Sequence, residues 1–97
     1  MPNQGFKTLS TLSADGTRLR LARWNDQGSK DLLIIHGLAE HIGRYVHVAE
    51  YFAAQGWRVT VLELRGHGLS EGARGHTMLW QHYADDLQAA LGVIARP

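Results

Sequence analysis

Two stretches carry the residue types that chemistry needs, and in both an apolar run is broken by glycine. The first is Leu32-Leu33-Ile34-Ile35-His36-Gly37-Leu38-Ala39-Glu40-His41; the second is Trp57 to Leu64 followed by Arg65-Gly66-His67-Gly68-Leu69-Ser70-Glu71-Gly72. Gly37 is free to take positive φ and to let a ligand approach the main chain, so its turn can leave backbone N–H groups pointing outward. Outward N–H groups are what a developing oxyanion requires. The second stretch holds a literal Gly-x-Ser-x-Gly, Gly68 to Gly72, the pattern of an activated serine nucleophile. Its context argues against that role. A nucleophilic serine sits where a strand passes directly into a helix, whereas Ser70 lies several residues beyond the strand end near Leu64. Gly72-Ala73-Arg74-Gly75 then follows where the helix should begin.

The other candidates are weaker. His36, His41, His47, His67, His76 and His82 include no His-Glu-x-x-His, and nearby carboxylates show no ligand spacing, so no metal site is expected. His36 and His67 are read as braces for the two glycine turns. Gly66-His67-Gly68 fails as a dinucleotide fingerprint because position 71 is Glu. Asp85 and Asp86 are adjacent on a helical stretch, so their side chains diverge by about 100° and cannot act as an acid/base pair; they are read as a solvated face. Glu40 and Arg44 follow the Gly37 turn. They either face the mouth of a cleft or mark a helix start, with Glu40 near the positive end and Arg44 solvated.

The elements that must position these residues are legible as patterns. Phe6 to Leu12 and Thr17 to Trp24 read as strands joined by Ser13-Ala14-Asp15-Gly16, a strong hairpin signal. Asn25 to Lys30 reads as a plain polar connector. Leu32 to Ile35 has no polar alternation, which predicts a strand buried on both faces, as central strands of parallel sheets are. Tyr45, Val48, Ala49, Phe52 and Ala53 predict an amphipathic helix closed by Gly56 in a left-handed cap. Trp57 to Leu64 is the next strand. Strand, helix, strand is a right-handed crossover, which places both glycine turns at the carboxyl edge of a parallel sheet, where ligands bind in open α/β sheets. Trp80, Tyr83, Ala84, Leu87, Leu91 and Ile94 predict a last helix with one apolar face, stopped by Pro97.

The chain has 97 residues, 44% hydrophobic and 20% charged, which is ordinary globular composition. A net charge of +1 with dispersed Lys and Arg argues against a nucleic-acid partner. The absence of cysteine excludes disulfides and fits a reducing, cytoplasmic compartment. No secretory signal and no apolar run of about 18 residues is present, so no membrane span is expected. The two apolar strands need cover on both faces and a neighbour on both edges, more than two helices and four strands supply. A continuing chain or a second chain is therefore expected to complete the sheet.

His36-Gly37-Leu38-Ala39-Glu40-His41 with Gly43-Arg44-Tyr45, then Glu63-Leu64-Arg65-Gly66-His67-Gly68-Leu69-Ser70-Glu71-Gly72 and Arg74-Gly75-His76, resembles the amino-terminal third of α/β-hydrolases of the monoacylglycerol lipase and lysophospholipase group, which includes serine aminopeptidases of the S33 type. Family members usually carry Asp where this chain has Glu63. The resemblance implies an antiparallel hairpin leading into a mostly parallel sheet with flanking helices, residues 1–97 forming the amino-terminal part of one α/β-hydrolase domain. Such a domain runs to roughly 200–250 residues. The nucleophile elbow, lid, acid and histidine base would lie beyond Pro97. It further implies an esterase acting on lipid or other small esters, without a dissociable cofactor, cytoplasmic or peripheral at a membrane surface. His36 and Gly37 would form the oxyanion loop, the backbone N–H of Leu38 would be a donor, and Glu40 and Arg44 would lie near the polar head of the substrate. The alternatives are an epoxide hydrolase with an aspartate nucleophile, a proline-releasing peptidase, or a non-catalytic binding module of the same fold. Epoxide hydrolases commonly carry proline after the His-Gly-x turn, where this chain has Ala39-Glu40.

Overall fold

The hairpin turn sets the frame. Gly16 adopts φ 86°, its N–H donates to the Ser13 carbonyl at 2.9 Å, and the Thr17 N–H donates to Asp15 Oδ1 at 3.0 Å. Thr17 also accepts from the Ser13 N–H at 2.9 Å, so the turn consumes its polar groups and the second strand starts one residue later than the pattern suggested. Strands β1 (Phe6–Leu12) and β2 (Arg18–Trp24) pair antiparallel, Phe6 opposite Trp24 and Leu12 opposite Arg18. This computed structural model describes residues 5–36, 42–67, 69–72 and 80–95.

Strand β3 (Lys30–Ile35) runs parallel to β4 (Trp57–Glu63), Leu32 opposite Val59 and Ile35 opposite Leu62. β2 pairs antiparallel with the other side of β4, giving the order β1-β2-β4-β3. The expected parallel crossover is therefore present, and β3 and β4 finish at the same edge. The expected burial of β3 on both faces is not. Leu32, Leu33 and Ile34 are half-buried and Ile35 is 40% exposed, because β3 lies at the end of the strand order and has β4 on one side only among the described residues.

A 3₁₀ turn (Ile42–Tyr45) leads into α1 (Val46–Ala54), and Gly56 closes it with φ 96° and an N–H bond to the Ala53 carbonyl. Ile42, Val46, Ala49, Phe52 and Ala53 pack on Ala22, Trp24, Val59 and Val61 of the sheet. Val48, expected on that stripe, is 43% exposed. The tighter 3₁₀ entry, three residues per turn, hands the inward position to Val46 and shifts the phase of the stripe.

Helix α2 (Trp80–Ile94) covers the opposite face, with Tyr83, Ala89, Ala90 and Val93 against Leu19, Leu21, Leu62 and Leu64. Here two expectations are corrected. Trp80, Leu87 and Leu91 are exposed, whereas Asp86, expected on a solvated face, is completely buried. The inward row is Tyr83, Asp86, Ala90 and Val93, and Arg65 receives the carboxylate from the sheet side. The far end is fixed similarly. α2 has no basic residue in its last turn, and Arg23 and Arg58 donate instead to the Val93 and Ile94 carbonyls at 3.3 and 2.6 Å. Cations at a helix C-terminus complement its dipole.

The connector after β2 does more than connect. Asn25 takes φ 56° and its side-chain amide donates to the Ala53 and Trp57 carbonyls at 3.1 and 3.0 Å. A side chain at Gly28 would collide with the backbone of Trp57 and Arg58. Among the described residues, no helix is long and apolar enough to cross a membrane.

Candidate active site

The parallel strands deliver two histidines to the same edge. His36 follows β3 and is 2% exposed; its Nε2 accepts the Leu64 N–H at 2.9 Å. A ring nitrogen that accepts carries no proton, so His36 is neutral with its proton on Nδ1. His67, also buried, places Nδ1 2.9 Å from the Arg65 carbonyl. A carbonyl only accepts, so this nitrogen donates. The two ring centroids lie 5.0 Å apart, with the planes tilted by 56°. His67 thus braces its own turn, and His36 ties the end of β3 to the residue that follows β4. Gly37, Leu38 and Glu40 lie outside the described residues. Arg44 stands on the 3₁₀ turn and is exposed.

Ser70 is occupied. Its hydroxyl donates to the Glu63 carbonyl at 2.6 Å and accepts the Arg20 N–H at 2.8 Å, and the residue is 3% exposed. A hydroxyl held in two backbone bonds and closed off from solvent is not placed to attack a substrate. The serine match is a structural fastener. The rest of the loop is tied down in the same way. Glu63, 2% exposed, accepts the Leu69 N–H at 2.6 Å and lies 3.7 Å from Arg20 Nη1. Glu71 exchanges bonds with Arg18, its N–H to the carbonyl at 2.8 Å and its carboxylate to the N–H at 3.0 Å.

Arg65 is the residue that the sequence patterns did not reveal. It is 5% exposed and grips Asp86 with two parallel bonds, Nε to Oδ2 at 2.9 Å and Nη2 to Oδ1 at 2.7 Å. Its Nη1 reaches Asp15 Oδ2 at 2.8 Å in the hairpin turn, and Nη2 reaches Ser13 Oγ at 3.4 Å. The bonds from Arg65, helped by those from Thr17, hold the Asp15 carboxyl well below the usual carboxylate range. Asp86 first, then Asp15, push the guanidinium further above its ordinary value. One side chain therefore ties the loop after β4 to the hairpin and to α2. The signal was present: Asp86 sits three residues after Tyr83 and four before Ala90, inside the row that turned inward.

Beside His36 runs an apolar groove of about 560 Å³, lined by Ile35, Leu62, Leu64, Tyr83 and Leu87 among others. It lies between the ends of β3 and β4 and the first half of α2. Residues 27–97 match the sequence model of the serine aminopeptidase S33 family. The chain belongs to this family. It is an amino-terminal portion of the α/β-hydrolase fold, a hydrolase lineage. The monoacylglycerol lipase of Mycolicibacterium smegmatis is 42% identical over 64 residues, covering 66% of this chain and 23% of that protein. Among solved structures, the Pyrococcus furiosus esterase Pf2001 superimposes with a TM-score of 0.76 at 22% identity, over 92% of this chain and 36% of that one. A laboratory-evolved variant of potato epoxide hydrolase superimposes with a TM-score of 0.80 at 26% identity, over 94% of this chain and 28% of that one. Against such curated relatives the chain spans 8% to 26% of their length.

Proposed function

We propose that these residues are the amino-terminal part of a single-domain serine hydrolase acting on carboxylic esters of lipids, in the manner of a monoacylglycerol lipase or lysophospholipase. The nucleophile elbow, lid, acid and histidine base come from chain beyond residue 97, which also pairs with the free side of β3 and covers the apolar groove. The observation that carries this reading is the parallel pair β3–β4, with His36 and His67 closing both strand ends at one edge of the sheet. That edge is where α/β enzymes hold their substrates.

In this reading the Leu38 N–H and a second donor from the elbow stabilise the oxyanion. The serine Oγ attacks the ester carbon and the carbonyl π pair moves to oxygen. The tetrahedral species then collapses, the C–O bond to the alcohol breaks, and the histidine that took the serine proton gives it to the leaving oxygen. Water repeats the sequence on the acyl-enzyme. Gly37 permits the turn, His36 anchors its start, and Glu40 and Arg44 meet the polar head of the substrate. Cytoplasmic residence, with contact at a lipid surface, belongs to the same proposal.

The likeness to an epoxide hydrolase structure supports a second reading, in which an aspartate replaces the serine at the elbow; a binding module would lack both. A serine-directed fluorophosphonate separates them. The full-length protein is expected to label once, at a serine downstream of residue 97, and to hydrolyse monoacylglycerols, while the 97-residue chain stays unlabelled. Labelling at Ser70, or a full-length protein without a reactive serine, overturns the reading.

A further inference from the structure

We infer that Leu69 is a specificity-determining residue, a fixed apolar contact that takes the hydrocarbon chain of an ester substrate at the carboxyl edge of the sheet. Its mount is unusually complete. β4 ends at Glu63, and the loop that follows returns to β2 and takes up the pairing that β4 leaves off. The Ser70 hydroxyl accepts the Arg20 N–H at 2.8 Å and donates to the Glu63 carbonyl at 2.6 Å, and the Ser70 N–H donates to the His67 carbonyl at 3.0 Å. Glu71 exchanges two bonds with Arg18 at 2.8 and 3.0 Å. Gly66, at φ 75°, closes the base of the loop by donating to the Glu71 carbonyl at 2.7 Å. Leu69 donates its own N–H to the buried Glu63 carboxylate at 2.6 Å. Its backbone is therefore held at the residue itself and at the residue after it.

The side chains of the loop divide unequally. Arg65, His67 and Ser70 are buried and the Glu71 carboxylate is bound to Arg18, whereas Leu69 is 75% exposed. A lone exposed leucine is ordinary on a protein surface. This one stands two residues after His67, on an anchored loop at the edge where α/β enzymes hold their substrates. A leucine side chain has no donor, acceptor or charge, so what it recognises is apolar surface that leaves water against it. The anchored backbone lowers the entropic cost of that contact, because little main-chain freedom remains to be lost when the ligand arrives. Leu12 supplies the comparison. It is 54% exposed at the end of β1, on the same edge, since β1 and β4 both run antiparallel to β2. β1 is nevertheless two strands from β4, about 10 Å across the sheet. A lipid surface laid over the whole edge meets both leucines; one chain seated against the loop meets Leu69.

The mount stands independently of the esterase reading; the substrate class rests on that reading. In the full-length protein, Leu69→Ser is expected to lower the ratio of kcat/KM for p-nitrophenyl decanoate over p-nitrophenyl acetate about tenfold, through KM, the lower end of what one apolar contact contributes. Leu69→Met should restore the ratio, and Leu12→Ser should leave it unchanged. Glu63→Asp keeps Leu69 but draws its acceptor back by about 1.5 Å, one carbon–carbon bond, so faster exchange of the Leu69 amide and a lower ratio are expected together. Glu63→Gln keeps an acceptor oxygen at full length and should preserve both. Should the Glu63 variants fail to fold, the leucine variants decide alone. An unchanged ratio in Leu69→Ser overturns the inference. So does an equal fall in Leu12→Ser, which marks adsorption of the whole edge to a lipid surface. If neither ester is hydrolysed, the esterase reading fails and binding decides. The decyl ether of glycerol, titrated calorimetrically, is then expected to bind Leu69→Ser about tenfold more weakly than the wild-type protein. Equal affinity, or no binding to either protein, overturns the inference as well.

Discussion

The two flanks of β4 are made from strands of similar apolar content, yet among the described residues only one is closed. On the β2 side Leu21 and Ala22 are completely buried and Trp24 is 2% exposed. On the β3 side Leu32, Leu33 and Ile34 are half-buried and Ile35 is 40% exposed. β2 has β1 beyond it and a helix on each face, whereas β3 is the last strand in the order and faces a groove. Burial is therefore a property of the neighbours a strand receives, and an uninterrupted apolar run records the cover it is built to take. Charges are locked on both flanks, Arg58 to Asp31 on the β3 side and Arg65 to Asp86 and Asp15 on the other. Arg65 with Asp86 and Asp15, and Arg23 and Arg58 on the α2 terminus, spend their polar groups on holding the hairpin, sheet and helix together.

The largest expected effect breaks that lock. Arg65→Ala leaves the Asp86 carboxylate buried without its partner, and should cost about 3–5 kcal/mol in urea denaturation. A loss below about 1 kcal/mol would mean that Asp86 reaches water and that the closed flank is not closed. Next in size is a direct test of the asymmetry. Leu21→Ala should cost about 2–5 kcal/mol, as truncation of a packed leucine does, while Ile35→Ala, with solvent already at its side, should cost less than half as much. Equal losses would erase the distinction between the flanks. The smallest effect is a dependence on pH. Because Arg65 lowers the folded-state value of Asp15, its contribution is complete above the unfolded carboxylate value of about 3.9 and declines as pH falls toward the lower folded value. The gap between the thermal midpoints of the wild-type chain and Asp15→Asn should thus be full at pH 6 and shrink steadily as pH falls below about 4. A constant gap would show that the Asp15–Arg65 pair is not the cause.

Local rules carried the sequence reading a long way. Asp15-Gly16 announced the hairpin, the apolar runs with their intervening helix announced the parallel crossover, and the missing helix start after Gly72 disqualified Ser70 before its hydroxyl was seen to be occupied. What escaped was set at a distance. Asp86 looked solvated because its partner lies 21 residues away on another element. Val48 left the buried stripe because a 3₁₀ turn altered the phase of the helix. Asn25 looked like a linker because the two carbonyls it serves belong to α1 and β4. Periodicity reports which face of an element is apolar, and tertiary partners decide which side is turned inward.

The bonds from the loop after β4 to the amino-terminal hairpin have a consequence for how the molecule comes into being. β1 and β2 are made before β4 and α2, and a lone two-stranded ribbon is marginal in water. β2 gains its second neighbour only with residues 59–63, its turn gains Arg65, and Arg65 gains Asp86 only when α2 has been synthesised. During translation this hairpin is therefore secured only once α2 has been made, and a ribosome stalled before residue 86 carries a hairpin waiting for its anchor.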